Sequence, residues 1–258
     1  MDEETAFQVA DVLRGARVRG VVISGGEPTL LPYLPRLVEY LSADLPGDLP
    51  GPRVVLSTNG LAPLSFMERV LPHLSWIALP IESGSLREHQ AMRTGVAGHR
   101  SRVLGLLQEV RKNHAGVQVK LGTVITKWNV GGAARVLDVV DDFCLPDVWK
   151  IYQMSETNYA ADNKGLLSLS GRQFEEVVEQ CAAAALQRGV RLRVYRNSTR
   201  SGSYLFIDPD CRMVVIDDGC ERRIGGLFDR PENVRASLAG TSLGAGLAEN
   251  FVGTYPEI

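Results

Sequence analysis

Short apolar runs alternate with helix-like stretches through the first 155 residues, and this alternation limits the folds open to the chain more than any other feature. Runs suited to buried strands fall at Gly20–Ser24, Arg53–Ser57, Trp76–Ile81, Val117–Ile125 and Val148–Met154. Helical stretches precede or separate them at Thr5–Ala16, Leu31–Ser42, Pro63–Leu71, His99–Lys112 and Gly132–Phe143. Parallel strands need a crossover of about a dozen residues, usually a helix, so the spacing predicts βα units around a parallel sheet. The prolines and glycines between Leu45 and Pro52 exclude a continuous helix or a central strand, and that segment reads as a loop.

After Met154 the pattern changes. A polar stretch from Ser155 to Lys164 leads to a helix near Ser170–Gln187, then to short strand-like runs at Arg191–Tyr195, Tyr204–Asp208 and Met213–Asp217. This part reads as an α+β extension covering the first, with the division at residues 1–155 and 156–258. Asp208-Pro209-Asp210 suits a hairpin turn, and the residues from Ser237 to Phe251 suit a loosely packed tail.

Lys and Arg total 28 against 30 Asp and Glu, for a formal charge of −2, which excludes a global attraction to nucleic acid or to an anionic membrane. No apolar run approaches the roughly 20 residues of a membrane span, and the acidic start is unlike a secretory signal, so the cytoplasm is the expected compartment. Cys144, Cys181, Cys211 and Cys220 form no Cys-x-x-Cys, which argues against a disulfide scaffold or a zinc ribbon. His73, His89, His99 and His114 have no metal-ligand spacing and read as solvent-facing residues.

The chemistry concentrates at the ends of the predicted strands. Val21-Val22-Ile23-Ser24 runs into Gly25-Gly26-Glu27-Pro28, where two glycines let the backbone approach a ligand and Pro28 suits the first position of a helix. Ser57-Thr58-Asn59-Gly60 follows the second strand and offers hydroxyl and amide groups. Glu82-Ser83 follows the third, and Val124 lies near the end of the fourth. Asn129 is a candidate ligand contact or helix cap. The run Arg188, Arg191, Arg193, Arg196 and Arg200 suits either a phosphate site or a half-exposed strand.

In order and context these motifs resemble the radical S-adenosylmethionine (SAM) superfamily over about Asp2 to Met154. The resemblance implies a partial TIM barrel of the (β/α)6 type lacking its first strand. It implies SAM binding by Gly25, Gly26, Glu27, Ser57, Asn59, Glu82, Ser83 and Val124. It also implies a [4Fe–4S] cluster, held by a Cys-x-x-x-Cys-x-x-Cys loop that none of the four cysteines matches, as though the sequence began just after that loop. Val148-Trp149-Lys150-Ile151-Tyr152-Gln153, and Asn197-Ser198 with Ser203-Tyr204-Leu205-Phe206, resemble the viperin-like group. That likeness implies a nucleotide as small-molecule substrate, Lys120, Lys150 and Arg200 as phosphate contacts, and an electron donor as partner. The expected activity is hydrogen abstraction by a 5′-deoxyadenosyl radical. Two further readings stay open: a cluster-free SAM-binding or regulatory protein, and a nucleotide-binding module using the Arg-rich strand.

Overall fold

A computed structural model of the chain describes residues 1–156, 159–197, 205–217, 220–229 and 237. Its helices are α1 (Glu3–Gly15), α2 (Leu34–Ser42), α3 (Leu64–Met67), α4 (Leu86–Met92), α5 (His99–Asn113), α6 (Val136–Val140), α7 (Tyr159–Asp162), α8 (Lys164–Leu167) and α9 (Gly171–Gln187). The strands are β1 (Gly20–Ile23), β2 (Arg53–Ser57), β3 (Trp76–Pro80), β4 (Gln118–Ile125), β5 (Val148–Gln153), β6 (Arg191–Tyr195), β7 (Leu205–Ile207), β8 (Arg212–Asp217) and β9 (Cys220–Gly226). Two compact units result, residues 17–195 and residues 1–16 with 196–258.

In the larger unit β1 to β6 form one sheet in chain order, each strand parallel to the next. Helices alternate with these strands, as in a partial TIM barrel. Successive side chains on a strand point to opposite faces. One face carries Leu56, Ile77, Leu121, Trp149 and Ile151, all essentially inaccessible to solvent. Trp149 remains satisfied there because its indole N–H donates to Thr123 Oγ1 at 3.0 Å, and that hydroxyl donates to the Ile81 carbonyl at 2.6 Å. Each full burial of such an apolar side chain contributes roughly 1.5–3 kcal/mol. The other face carries a different chemistry, because register aligns Lys120 with Val148, Gly122 with Lys150, Lys150 with Arg193, and Tyr152 with Tyr195.

The sixth strand corrects the sequence reading of residues 170–195. Arg191–Tyr195 is not part of a covering extension; it pairs in parallel with β5 through the α9 crossover, as another βα unit. Helix α9 is well specified. Ser170 and Gln173 form a reciprocal capping box, and Phe174, Val177, Val178, Cys181 and Ala185 make a buried stripe at helical spacing. The alternation of arginine with Leu192 and Val194 masked this strand, since it reads equally as an exposed ribbon. The expected helix at 132–143 is also shorter, dividing into a 3-10 turn at Ala133–Arg135 and α6.

In the smaller unit Asp2 caps α1 by accepting from the Thr5 amide at 2.8 Å, and Ala6, Val9 and Ala10 are buried. Strands β7, β8 and β9 form an antiparallel sheet around Met213, Val215 and Ile224. The predicted hairpin forms at Asp208, whose carboxylate accepts from the Asp210 and Arg212 amides, with Cys211 in the left-handed region at φ 58°. β9 has no apolar run to announce it, since it opens Cys-Glu-Arg-Arg. Arg200, Ser198, Ser203-Tyr204 and the tail at 238–258 lie outside the described residues.

Candidate functional site

Because β1 to β6 are all parallel, their carboxyl ends share one edge, and the loops that follow them lie together there. The sequence motifs occupy that edge. Gly25 has φ 127°, and a Cβ on Gly25 or Gly26 would meet nothing within 4 Å. Among the described residues no hydrogen bond engages their peptide groups. The glycine pair is therefore an open stretch of backbone with room for a ligand.

Glu27 has a different part. Its Oε1 accepts from the Thr29 amide at 3.1 Å, the Thr29 hydroxyl at 2.6 Å and the Thr58 hydroxyl at 2.6 Å, while Oε2 accepts from the Asn59 amide at 2.7 Å. Burial raises its pKa, but the hydrogen bonds outweigh burial and hold it below the usual carboxylate value. Glu27 is thus an ionised tie between the β1 and β2 loops. Pro28 begins the 3-10 turn Pro28–Leu30, with Glu27 as its cap. Ser57 sits half-buried at the end of β2, and Asn59 Oδ1 accepts from the Leu61 amide at 2.9 Å.

A second tie joins the β3 and β4 ends. Glu82 is 3% exposed and pairs with Arg93 at 2.5 Å, while its Oε2 accepts from the Val124 amide at 2.9 Å. Burial pushes the Glu82 carboxyl up, against the pull of the Arg93 guanidinium. Asn129, fully buried, donates from its amide to the carbonyls of Glu82 and Val124 and accepts from the Thr126 amide. It caps no helix; it staples the two loops. Ser83, also fully buried, donates its hydroxyl to Glu88 at 2.7 Å. Gly132 makes room for that pair, since a Cβ there would stand 2.1 Å from Ser83 Oγ.

Two histidines contradict their expected exposure. His89 and His99 are 1% and 3% exposed and lie 3.0 Å apart, Nε2 to Nδ1. The Glu82 amide donates to His89 Nδ1, so His89 carries its proton on Nε2 and donates it to His99 Nδ1. Burial, then the neighbouring His99 and the guanidiniums of Arg93 and Arg100, lower the His89 pKa to about 4. Burial and Arg93 lower that of His99 to about 4, although the nearby Asn59 carbonyl favours its protonation. Nothing meets His99 Nε2 at hydrogen-bond geometry. The α4 helix that carries His89 has too little apolar periodicity to be read from sequence.

The inner face of the sheet holds the remaining candidates. Lys120 is 6% exposed with Nζ 4.2 Å above the Trp76 ring, and burial together with Lys150 lowers its pKa to about 8. Among the described residues no acceptor meets this ammonium. Lys150 Nζ lies 5.3 Å from the Tyr195 ring, and Tyr152 and Tyr195 stack with centroids 5.0 Å apart. Arg193 shares this face through its register with Lys150. Arg193 belongs to the Arg-rich run that suited either a phosphate site or a half-exposed strand, whereas sequence reading missed Tyr152 and Tyr195 because the β5–β6 pairing was not visible.

The described cysteines do not supply a cluster site. Cys144 follows α6, Cys181 is in the buried stripe of α9 and Cys211 is in the β7–β8 turn. Burial raises the Cys144 pKa and pushes Cys181 up to about 12, favouring thiols over metal-binding thiolates.

A family profile described as the Radical SAM superfamily matches residues 1–130, half of the chain. An S-adenosylmethionine-dependent nucleotide dehydratase of Flammeovirga pacifica is 26% identical over 225 residues, which are 85% of this chain and 72% of that protein. Among solved structures, native anSMEcpe with bound AdoMet aligns with TM-score 0.62 at 16% identity, over 95% of this chain and 72% of the other. Streptococcus suis SuiB bound to precursor peptide SuiA aligns with TM-score 0.53 at 18% identity, over 74% of this chain and 41% of the other. At these identities the two structures demonstrate a shared fold.

Proposed function

The chain belongs to the radical SAM superfamily, and on that premise we propose that it binds SAM at the carboxyl edge of the sheet and acts on a phosphate-bearing nucleotide against the inner face. SAM, when bound, would supply the 5′-deoxyadenosyl group for hydrogen abstraction, its carbon–sulfur bond being cleaved, with methionine leaving, by one electron that a separate donor would deliver through a [4Fe–4S] cluster. The open Gly25–Gly26 backbone admits the polar end of SAM. Glu27 holds the Thr58–Asn59 loop beside it, and Glu82 with Asn129 holds the ends of β3 and β4, including Ser83 and Val124. Ser57 contributes a hydroxyl at the same edge. The cluster thiolates are not among the described cysteines, and no electron path is assigned to this chain's own residues.

The observation that carries the substrate assignment is Lys120, a residue 94% buried whose ammonium meets no acceptor among the described residues and is not fully enclosed. A buried cation is expensive unless an anion meets it. Lys150 and Arg193 widen the positive surface on the same face, and stacked tyrosines offer an apolar platform. The nucleotide dehydratase named above supports the same substrate class. Calorimetry tests it: SAM and a nucleoside triphosphate each bind one to one, and the parent nucleoside binds at least about tenfold more weakly, because charge-assisted hydrogen bonds contribute roughly 1.5–3 kcal/mol each. Equal affinity for nucleoside and triphosphate refutes the phosphate assignment.

The cysteine geometry favours a second reading, a cluster-free SAM-binding protein. SAM binding without iron uptake during anaerobic reconstitution supports it, and formation of 5′-deoxyadenosine by the 258-residue chain excludes it.

A further inference from the structure

A separate feature lies between α4 and the start of α5. A cavity of about 100 Å³ is bordered there by Arg93, Gly98, His99, Arg100 and Ser101. Two buried nitrogen donors of its lining residues lack a partner at hydrogen-bond geometry, Arg93 Nε and His99 Nε2, the His99 ring having only the Asn59 carbonyl nearby. His99 is 97% buried. Helix α5 runs for 15 residues from His99, and its cap residue Gly98 is in the left-handed region with no side chain capping the helix. The amides of His99, Arg100 and Ser101 are accordingly unpaired, the first intrahelical bond being Arg102 to Gly98. Arg100 is half-buried and donates only to the Gly84 carbonyl. No carboxylate lines the cavity, and Arg93 pairs with Glu82 through its Nη2.

Donors therefore surround this cavity without the acceptors to match. A positive helix terminus, two guanidiniums and a hydroxyl are the groups that bind tetrahedral oxyanions. We propose that the α4–α5 cavity is a binding site for a phosphate-sized oxyanion, distinct from the inner-face site around Lys120. The cavity is too small for a nucleotide, whose pockets run to about 300 Å³ or more. Free phosphate and the phosphate group of a small metabolite present the same chemistry here. Arg93 links the cavity to Glu82, so occupancy bears directly on the tie that holds the ends of β3 and β4.

The test uses inorganic phosphate with the full chain, against sodium chloride of equal ionic strength. At ten times its Kd, phosphate raises Tm by about 3–6 °C and gives a one-to-one isotherm. Lys120→Met retains this response, and Arg100→Gln loses it. Ser101→Glu gives a second reading should Arg100→Gln fail to fold: its carboxylate occupies the third helical position of α5, raises Tm without phosphate and abolishes the phosphate response. A phosphate response lost in Lys120→Met and kept in Arg100→Gln or Ser101→Glu overturns the proposal, as does no response in the wild type. Methyl phosphate matching inorganic phosphate assigns the site to phosphate groups in general, and weaker binding of methyl phosphate assigns it to the free ion; either keeps the proposal.

Discussion

Replacing Lys120 by methionine separates a group kept for binding from a group kept for stability. In the folded chain its pKa falls from the usual 10.5 to about 8. At about 1.4 kcal/mol per pH unit this amounts to about 3 kcal/mol of destabilisation, carried in full below pH 8. The sign follows from proton counts. Between pH 8 and 10.5 the unfolded chain holds a proton that the folded chain has released, so wild-type stability rises with pH across that window. Methionine fills a similar volume, removes the charge and forfeits the contact with the Trp76 ring, which contributes roughly 1 kcal/mol. The net gain at pH 7 is about 2 kcal/mol, or roughly 4–8 °C in Tm for a chain of this size. Urea denaturation of both proteins at pH 7, 8.5 and 10 reads it, and the advantage of Lys120→Met shrinks as pH rises. Triphosphate affinity falls at least about tenfold in the same variant, from the loss of one charge-assisted contact. A variant less stable than wild type at pH 7, or an advantage independent of pH, refutes the reasoning.

Glu27→Gln turns an acceptor of four hydrogen bonds into a group whose amide faces the donors of Thr58 or Asn59; about 2 kcal/mol of stability is lost by urea denaturation, and SAM affinity falls by calorimetry. Arg93→Ala leaves the Glu82 carboxylate buried without its cation and destabilises by about 3–5 kcal/mol, whereas Glu82→Gln with Arg93 intact is milder. The two neutral histidines, folded pKa about 4 against 6.5 unfolded, stabilise the chain above pH 6.5 and lose that contribution as pH falls toward 4. One ring accounts for about 2 kcal/mol lost between neutrality and pH 5, and His99→Gln flattens this slope in denaturation curves.

Much of the fold is legible locally. The strands β1 to β5 announce themselves by apolar runs, and the turn at Asp208 and the cap at Ser170 by short-range chemistry that needs no partner. β6 and β9 are less visible. Arginines alternate along one and cluster in the other, so each takes its identity from the strand it pairs with. The same division runs through the site. Gly25-Gly26-Glu27, Asn59 and Glu82 are recognisable as strand-end residues, because a parallel sheet sends every strand's carboxyl end to one edge.

Residue type and order alone thus determined the parallel α/β architecture, the family resemblance and the edge where the candidate ligand-binding motifs gather. Tertiary structure decided what each polar group does there. Carboxylates that read as ligands, Glu27 and Glu82, are held by protein donors that include groups 31 to 42 residues away. Histidines that read as exposed are buried against each other, and Lys120 is left without an anion. Local sequence sets backbone preference and periodicity, whereas the state of a polar group depends on burial and on partners that only the folded chain brings within 3 Å.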